Sequence, residues 1–433
     1  MMRSCRIPLS CAALITLLAV PASAFDSGNV NLPWCLEAAL TSPHIYEMQE
    51  AAAEAAAIAS EASARRLPSL GFGASYRYSS ETMESEISLA PGLSRTLSFG
   101  DGRIADMNLS LALPLYTGGE LSHTAQAAAA GSEAAALRVE SAVLDLTLAV
   151  RRTFYIALGR RSQLDAAELA VTRMQRHADE VAGAVSVGAA TEEMHLRAVT
   201  RLRESEQRRR RATAALDSAC IVLGKLVQYP FVIRPAGDLA MTLLDTLGSG
   251  TPQTWHRADL KTLQAERFRQ EHLAVAARGR LLPRVTGELA GHYGRPGVDQ
   301  LANDWMGYAT AAVSLEWPLW DGGARRARSV QAEARARQLE GRYQDLERTV
   351  NTNFRLASYE WTAIRDELVL ATERADLTRR LGELVGARYE RADASESEYL
   401  DALDDVTAAE FELSLVRTRQ RLAEATLLWT LGR

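Results

Sequence analysis

The chain has 433 residues, 47% of them hydrophobic and 6% aromatic, which excludes a disordered or fibrous protein and allows a sizeable buried core. Its 49 Lys and Arg stand against 54 Asp and Glu, a formal net charge of -5, and only Lys225 and Lys261 are lysines. No nucleic-acid partner is expected from such a surface. At the start, Arg3 and Arg6, the apolar run Leu9 to Val20 and Ala22-Ser23-Ala24 read as a signal peptide over residues 1–24, so the mature chain is expected to be exported. Cys5 and Cys11 would leave with it. Cys35 and Cys220 remain, and read as two buried small hydrophobes or, in an oxidising compartment, as one disulfide. No later run reaches about 18 apolar residues, so no transmembrane helix is expected.

The rest is organised by a duplication. Leu67-Pro68-Ser69-Leu70 recurs as Leu282-Pro283-Arg284-Val285, and Leu113-Pro114-Leu115-Tyr116-Thr117-Gly118-Gly119 recurs 204 positions later as Trp317-Pro318-Leu319-Trp320-Asp321-Gly322-Gly323. The stretch Gly188 to Leu196 matches Ala392 to Leu400 at the same offset. A period near 200 residues is too long for a solenoid and implies two repeats, 25–235 and 236–433.

Within the first repeat a short helix, Glu47 to Arg66, is expected before a strand pair at about 67–116. Leu70, Phe72, Ala74, Tyr76 and Tyr78 alternate with Ser69, Gly71, Gly73, Ser75 and Arg77, and Met107, Leu109, Leu111, Leu113 and Leu115 alternate with Asp106, Asn108, Ser110 and Ala112. The second repeat follows suit: a helix at Leu260 to Leu282, then strands at about 283–320 with Val285, Leu289, Tyr293 and Val313, Leu315, Trp317, Leu319 on the apolar side. Four segments of this length, apolar on one side and polar on the other, with aromatic residues near their ends, fit membrane strands; soluble hairpins with one buried face are the other reading.

After each strand pair comes a proline-free stretch of 115 residues, 115–229 and 319–433, rich in Ala, Leu, Glu, Arg and Gln. Stripes such as Leu144, Leu148, Arg151, Tyr155, Leu158 and Val350, Phe354, Ala357, Trp361, Ile364, Leu368 step by four and three, the spacing of a coiled coil. Each stretch is expected to form a long helical hairpin, about 118–227 and about 322–431, with a tip at Gly183 to Thr191 and near Gly386 to Ser395. The helix before the first tip would run about 95 Å, far more than a bilayer.

Catalytic chemistry is not expected. The seven histidines are scattered, with no His-Glu-x-x-His, G-x-S-x-G or phosphate-binding loop, so neither an enzyme nor a cofactor or metal site is indicated. Gly118, Gly119, Gly322 and Gly323 read as strand-to-helix junctions needing positive φ or close backbone approach. Arg208 to Arg211 reads as a solvated face. Ser395-Glu396-Ser397-Glu398 fits a capping box, which accounts for Glu398 but not for Asp401 three residues on, nor for Asp404 and Asp405. Stacked carboxylates repel unless water, a cation or a gating partner is near, so capping and a functional cluster stand as equal alternatives.

Over nearly its whole mature length the chain resembles the TolC-like outer membrane efflux proteins. The resemblance is carried by Leu36-Glu37-Ala38-Ala39-Leu40, the two Leu-Pro signatures, the two Pro-to-Gly-Gly signatures and His256-Arg257-Ala258-Asp259-Leu260, in this duplicated order. It implies an α+β membrane protein: a homotrimer in which each chain gives four strands to a 12-stranded outer-membrane barrel and its helical hairpins to a periplasmic α-barrel. It also implies a periplasmic adaptor (membrane fusion) protein and an inner-membrane transporter as partners, in a tripartite efflux pump or type I secretion system, with outer-membrane lipid around the barrel. A periplasmic constriction is implied at Glu398 and Asp401, and adaptor-contact tips at Gly188, Ala189, Ala190, Thr191 and Ala392, Asp393, Ala394, Ser395. The chain departs from the family pattern at Ala392, where glycine is usual, and Met194 stands opposite Glu398 in the first repeat. By arithmetic alone two copies also reach the eight strands a barrel needs. The competing class is a periplasmic coiled-coil scaffold or adaptor. A lumen of Ser, Thr, Asn, Asp and Glu suggests a poorly selective conduit whose substrate the pump chooses.

Overall fold

The computed structural model describes residues 29–81, 83–90, 93–99, 102–230, 232–240, 257–298 and 304–433. The signal peptide expected over 1–24 and His256 of the second-half motif lie outside the described residues. In chain order the elements are β1 (Asn29–Val30), α1 (Leu32–Leu40), α2 (Pro43–Ala64), β2 (Ser69–Tyr78), β3 (Met83–Ala90), β4 (Leu93–Phe99), β5 (Arg103–Tyr116), α3 (Glu120–Ser186) and α4 (Glu192–Val227). There follow β6 (Arg234–Pro235), α5 (Ala258–Gly279), β7 (Arg284–Arg295), β8 (Met306–Glu316), α6 (Ala324–Glu390) and α7 (Glu396–Thr430). Among the described residues two compact units take segments from both halves: one from residues 29–39, 150–240 and 368–421, the other from 40–149, 257–367 and 422–433.

In the second unit β2, β5, β7 and β8 form one antiparallel sheet in that order. The alternation read from the sequence sets the register. Leu70 lies opposite Leu111, Leu111 opposite Leu289 and Leu289 opposite Ala311, while on the other face Gly73, Asn108, His292 and Tyr308 form a row. The apolar face is uncovered within the chain: Phe72 and Val313 are each 73% exposed, and Leu70, Leu109, Leu289 and Leu315 are exposed with them. On the polar face His292 stacks on Tyr308 at 4.8 Å and its Nδ1 lies 3.3 Å from Asp106.

Two details differ from the sequence reading. Between the first two sheet strands the chain also forms the hairpin β3–β4, absent from the expected elements although Met83, Ile87 and Leu89 alternate with Glu84, Glu86 and Ser88, and Leu93, Leu97 and Phe99 with Ser94, Thr96 and Ser98. The last strand ends at Glu316, not near 320, because Glu316 pairs with Arg284, the first residue of β7, and no partner strand continues past it; there the Trp317 indole donates to the Leu281 carbonyl at 3.2 Å. At the strand-to-helix junctions all four expected glycines have positive φ: 61° and 82° at Gly118 and Gly119, 67° and 86° at Gly322 and Gly323. In the same unit the motif Arg257-Ala258-Asp259 has a structural use. Arg257, 4% exposed, donates to Asp259 and to the carbonyls of Trp429 and Thr430, satisfying the end of α7.

In the first unit the ends of α3 and α6 pack with α4 and α7. The expected stripes are the buried sides of their helices: Tyr155 and Leu158 in this unit, and Val350, Ala357 and Ile364 in the other. Near the tips Met174, Ala178, Val181, Ala198, Leu202, Leu400 and Leu403 form one core cluster. A short parallel pairing of β1 with β6 ties the described N-terminus to this unit.

Cys35 and Cys220 are both free and fully buried, so the disulfide reading gives way to two packed thiols. Burial pushes the Cys35 thiol up to about 12 and raises Cys220 as well. The folded protein is therefore expected to take up no maleimide at neutral pH until denaturant is added. Labelling of the native protein, followed by mass spectrometry, checks this.

Candidate functional site

Each helical hairpin turns through the same two devices, 204 residues apart. At the first tip the Gly188 N–H donates to Val185 O at 3.0 Å and the Ala189 N–H to Ala184 O at 2.8 Å; at the second the Ala392 N–H donates to Tyr389 O and the Asp393 N–H to Arg388 O, both at 2.9 Å. This is the paired hydrogen bonding that ends a helix through one left-handed residue. Gly188 has φ 79° and Ala392 φ 62°, so alanine adopts the geometry that glycine supplies in the first tip. The left-handed region costs a non-glycine residue about 1–2 kcal/mol. Ala392→Gly should accordingly raise stability by about 1 kcal/mol and Gly188→Ala lower it by a similar amount, read as opposite shifts in thermal unfolding.

The helices restart from N-caps at the same offset. Thr191 Oγ1 accepts from Met194 N at 3.3 Å. At the second tip Ser395 Oγ accepts from Glu398 N at 3.2 Å while the Glu398 carboxylate accepts from Ser395 N at 2.8 Å. The capping box is thus made in full. These bonds, the backbone one first and the Ser395 hydroxyl second, hold the Glu398 carboxyl below the usual range. The cap therefore contributes stability above the unfolded-state pKa and loses it as pH falls through the lowered folded value.

The other acids divide. Asp404 is held by Arg208 at 3.0 Å and Arg201 at 3.3 Å, both on α4, so Arg208 is not part of a merely solvated run. Asp401 and Asp405 are exposed and, with Glu398, recur at helical spacing on one side of α7; Asp401 makes no ion pair or hydrogen bond among the described residues. Of the cluster seen in the sequence, then, Glu398 caps, Asp404 bridges helices, and Asp401 is left with its charge facing outward. The Asp404 bridge had no sequence signal beyond the arginine run, because its partners lie 196 and 203 positions away. Among the described residues no group of three or more His, Cys, Asp and Glu is arranged to hold a metal ion, and no helix is long and apolar enough to cross a membrane.

The sheet supplies the other half of the site. Tyr76, Tyr78, Tyr293 and Trp305 gather at one end of its apolar face, with Tyr293 and Trp305 stacked at 5.2 Å, and Tyr116, Trp317 and Trp320 at the other. Ten residues separate Gly307, opposite Tyr293, from Trp317. That is about 33 Å of strand, or about 25 Å of height at a 40° tilt, the height of the apolar band of an outer-membrane barrel between its aromatic girdles. An antiparallel sheet with this outward band, continued into long helical hairpins, defines an outer-membrane channel with a long helical portion in the periplasm. The outer membrane efflux protein family model matches residues 34–227 and 255–433, and the chain belongs to that family. Among solved structures the chain is similar to a membrane protein from Pseudomonas aeruginosa (19% identity, 94% of each chain, TM-score 0.77). It is also similar to the outer membrane protein VceC from Vibrio cholerae (17% identity, 93% of this chain and 96% of that one, TM-score 0.75) and to the Campylobacter jejuni outer membrane channel CmeC (17%, 93% and 85%, TM-score 0.73). No curated protein matches the chain. The protein is thus an outer-membrane efflux channel.

Proposed function

We propose that three copies of the chain close a 12-stranded barrel and act as the exit duct for an inner-membrane transporter and its periplasmic adaptor, in a tripartite efflux pump or a type I secretion system. The observation that carries the trimer is the sheet itself. Four strands enclose nothing, β2 and β8 are its edges, and an uncovered apolar face flanked by aromatics suits lipid on the outside. Unpaired edges at membrane depth cost several kcal/mol per backbone group, so neighbouring copies must pair β8 with β2. Along α6, Leu370, Leu377, Leu381 and Leu384 are exposed at helical spacing and give the same assembly an apolar seam.

In this reading Gly188 to Thr191 and Ala392 to Ser395 meet the adaptor, and Asp401, with Glu398 beside it, lines the periplasmic constriction. The polar strand face with Ser110, Asn108, Asp106 and His292 lines a wide conduit, and the attached transporter chooses the substrate. Membrane fractionation with unheated gel electrophoresis tests the assembly. The protein should sediment with the outer membrane and run as a trimer that dissociates on heating. Recovery as a soluble periplasmic monomer would sink this reading. Exchange of this chain for the duct of a strain with a defined pump then reports which class of substrate leaves.

A further inference from the structure

We propose that His177 and Glu396 form a buried, proton-dependent latch that fixes the start of α7 against α3 and so sets the position of Asp401. The proposal rests on the reading of Asp401 as a constriction residue. His177 on α3 is 1% exposed and the Glu396 side chain, in the first turn of α7, is 4% exposed, with Nε2 and Oε1 3.6 Å apart. Neither imidazole nitrogen and neither carboxylate oxygen has a hydrogen-bond partner. Four buried polar atoms left so are rare in native proteins, and each group has a partner in the other's charge only when the imidazole is protonated and the carboxylate ionised.

The pair sits where three helices meet. The imidazole is boxed by Tyr389 in the last turn of α6, with ring centroids 5.6 Å apart, and by Tyr399 of α7 at 5.2 Å, and the two phenol rings stack at 4.8 Å. Burial raises both phenols. The other charged and titratable groups near the site come from α3, α6 and α4. On α3, Arg173 pairs with Glu410, and Arg176 and Glu180 flank the histidine. On α6, Arg388 donates to the Asp393 carbonyl and Glu390 lies beside Tyr399. On α4, Arg201 is taken by Glu204 and Asp404, and His195 carries a buried Nδ1 of its own.

The sign follows from the pairing. The latch needs a protonated imidazole and an ionised carboxylate. Loss of the imidazole proton, or gain of one by the carboxylate, removes one of the two charges and leaves the other group buried without its partner. Either change favours swinging Glu396, and the first turn of α7 with it, into water. Asp401 lies five residues on in the same helix, so the constriction widens at both extremes and is tightest between them.

Single-channel conductance of the purified trimer, with pH varied on the helical side from about 5 to about 9, tests this. Wild type should show a conductance minimum at intermediate pH. His177→Leu and Glu396→Leu should each raise conductance several-fold at that minimum, because the remaining polar group stays buried without a partner. The double variant His177→Leu/Glu396→Leu should return to low conductance with no pH response, since two apolar side chains of similar size replace the pair. A double variant that keeps the wild-type pH response, or a wild type flat across the range, overturns the latch. Amide hydrogen exchange gives a second readout on the same proteins: residues 397–403 should exchange at least about tenfold faster in each single variant than in wild type, and unchanged protection there overturns it too. The underlying reading fails separately. If Asp401→Asn leaves cation block untouched while the pH minimum persists and vanishes in the double variant, the latch stands and the constriction lies elsewhere.

Discussion

Gly279→Ala should sharply reduce the amount of assembled channel, although alanine is the better helix former and the position looks like an ordinary helix end. A methyl group there would lie 2.6 Å from the Gly118 carbonyl oxygen and 3.0 Å from Glu120 N, both backbone atoms that cannot rotate away. The contact is reciprocal. A methyl group on Gly118 would press into the Gly279 carbonyl and lie 2.8 Å from the Leu282 Cβ. Overpacking against backbone costs about 1–3 kcal/mol, and Gly118, at φ 61°, adds about 1–2 kcal/mol of left-handed strain. Gly322 and Gly323 separate the two contributions, because they share the positive φ but a methyl group on either meets nothing within 4 Å. The expected order of stability loss is Gly118→Ala, then Gly279→Ala, then Gly322→Ala. Melting temperature and the yield of heat-dissociable trimer in the outer membrane report it. Equal losses at Gly118 and Gly322 would reduce the first to a simple turn requirement.

This contact also marks the limit of what the sequence discloses. Positive φ at Gly118, Gly119, Gly322 and Gly323 was legible, because paired glycines between a strand and a helix have few other uses. Gly279 was not, since a close approach joins two segments 161 positions apart. A comparison of the repeats holds a trace of it: counting back three residues from each Leu-Pro signature gives Gly279 in one half and Ala64 in the other. The four sheet strands were legible because a face against lipid must be continuously apolar, which writes period two into the sequence. Hairpin β3–β4 carries the same period two, with Ile87 and Leu89 against Glu86 and Ser88, but is shorter and interrupted by Ser85 and Arg95 on its apolar side, so it was not among the expected strands. Among polar residues the pattern is the same. The capping box is local and was readable from Ser395 and Glu398; the partners of Asp404 and of His177 come from other helices, and neither the buried histidine nor its glutamate differs by type from residues that cap or face solvent.

Asp401→Asn should weaken block of the channel by divalent cations applied from the helical side by roughly tenfold or more, while Glu398→Gln should leave most of it. The difference comes from what each carboxylate already does. Glu398 accepts from the Ser395 amide and hydroxyl, and glutamine completes the same capping box, so the helix start survives the change. Asp404 is neutralised by Arg201 and Arg208. Asp401 is exposed on the same side of α7 as Glu398, and three copies would set three such charges around one opening. Oxygen-only rings of like charge bind hard divalent ions and relieve their own repulsion by doing so. Replacing the three aspartates by amides keeps the shape and removes the charge, so the blocking concentration should rise roughly tenfold or more, with each factor of ten worth about 1.4 kcal/mol. Single-channel recordings of the two single variants and the Glu398→Gln/Asp401→Asn pair decide between them. Block unchanged in the pair removes these residues from the constriction. Block lost with Asp401 alone makes Glu398 a helix cap and Asp401 the charge that a passing ion meets.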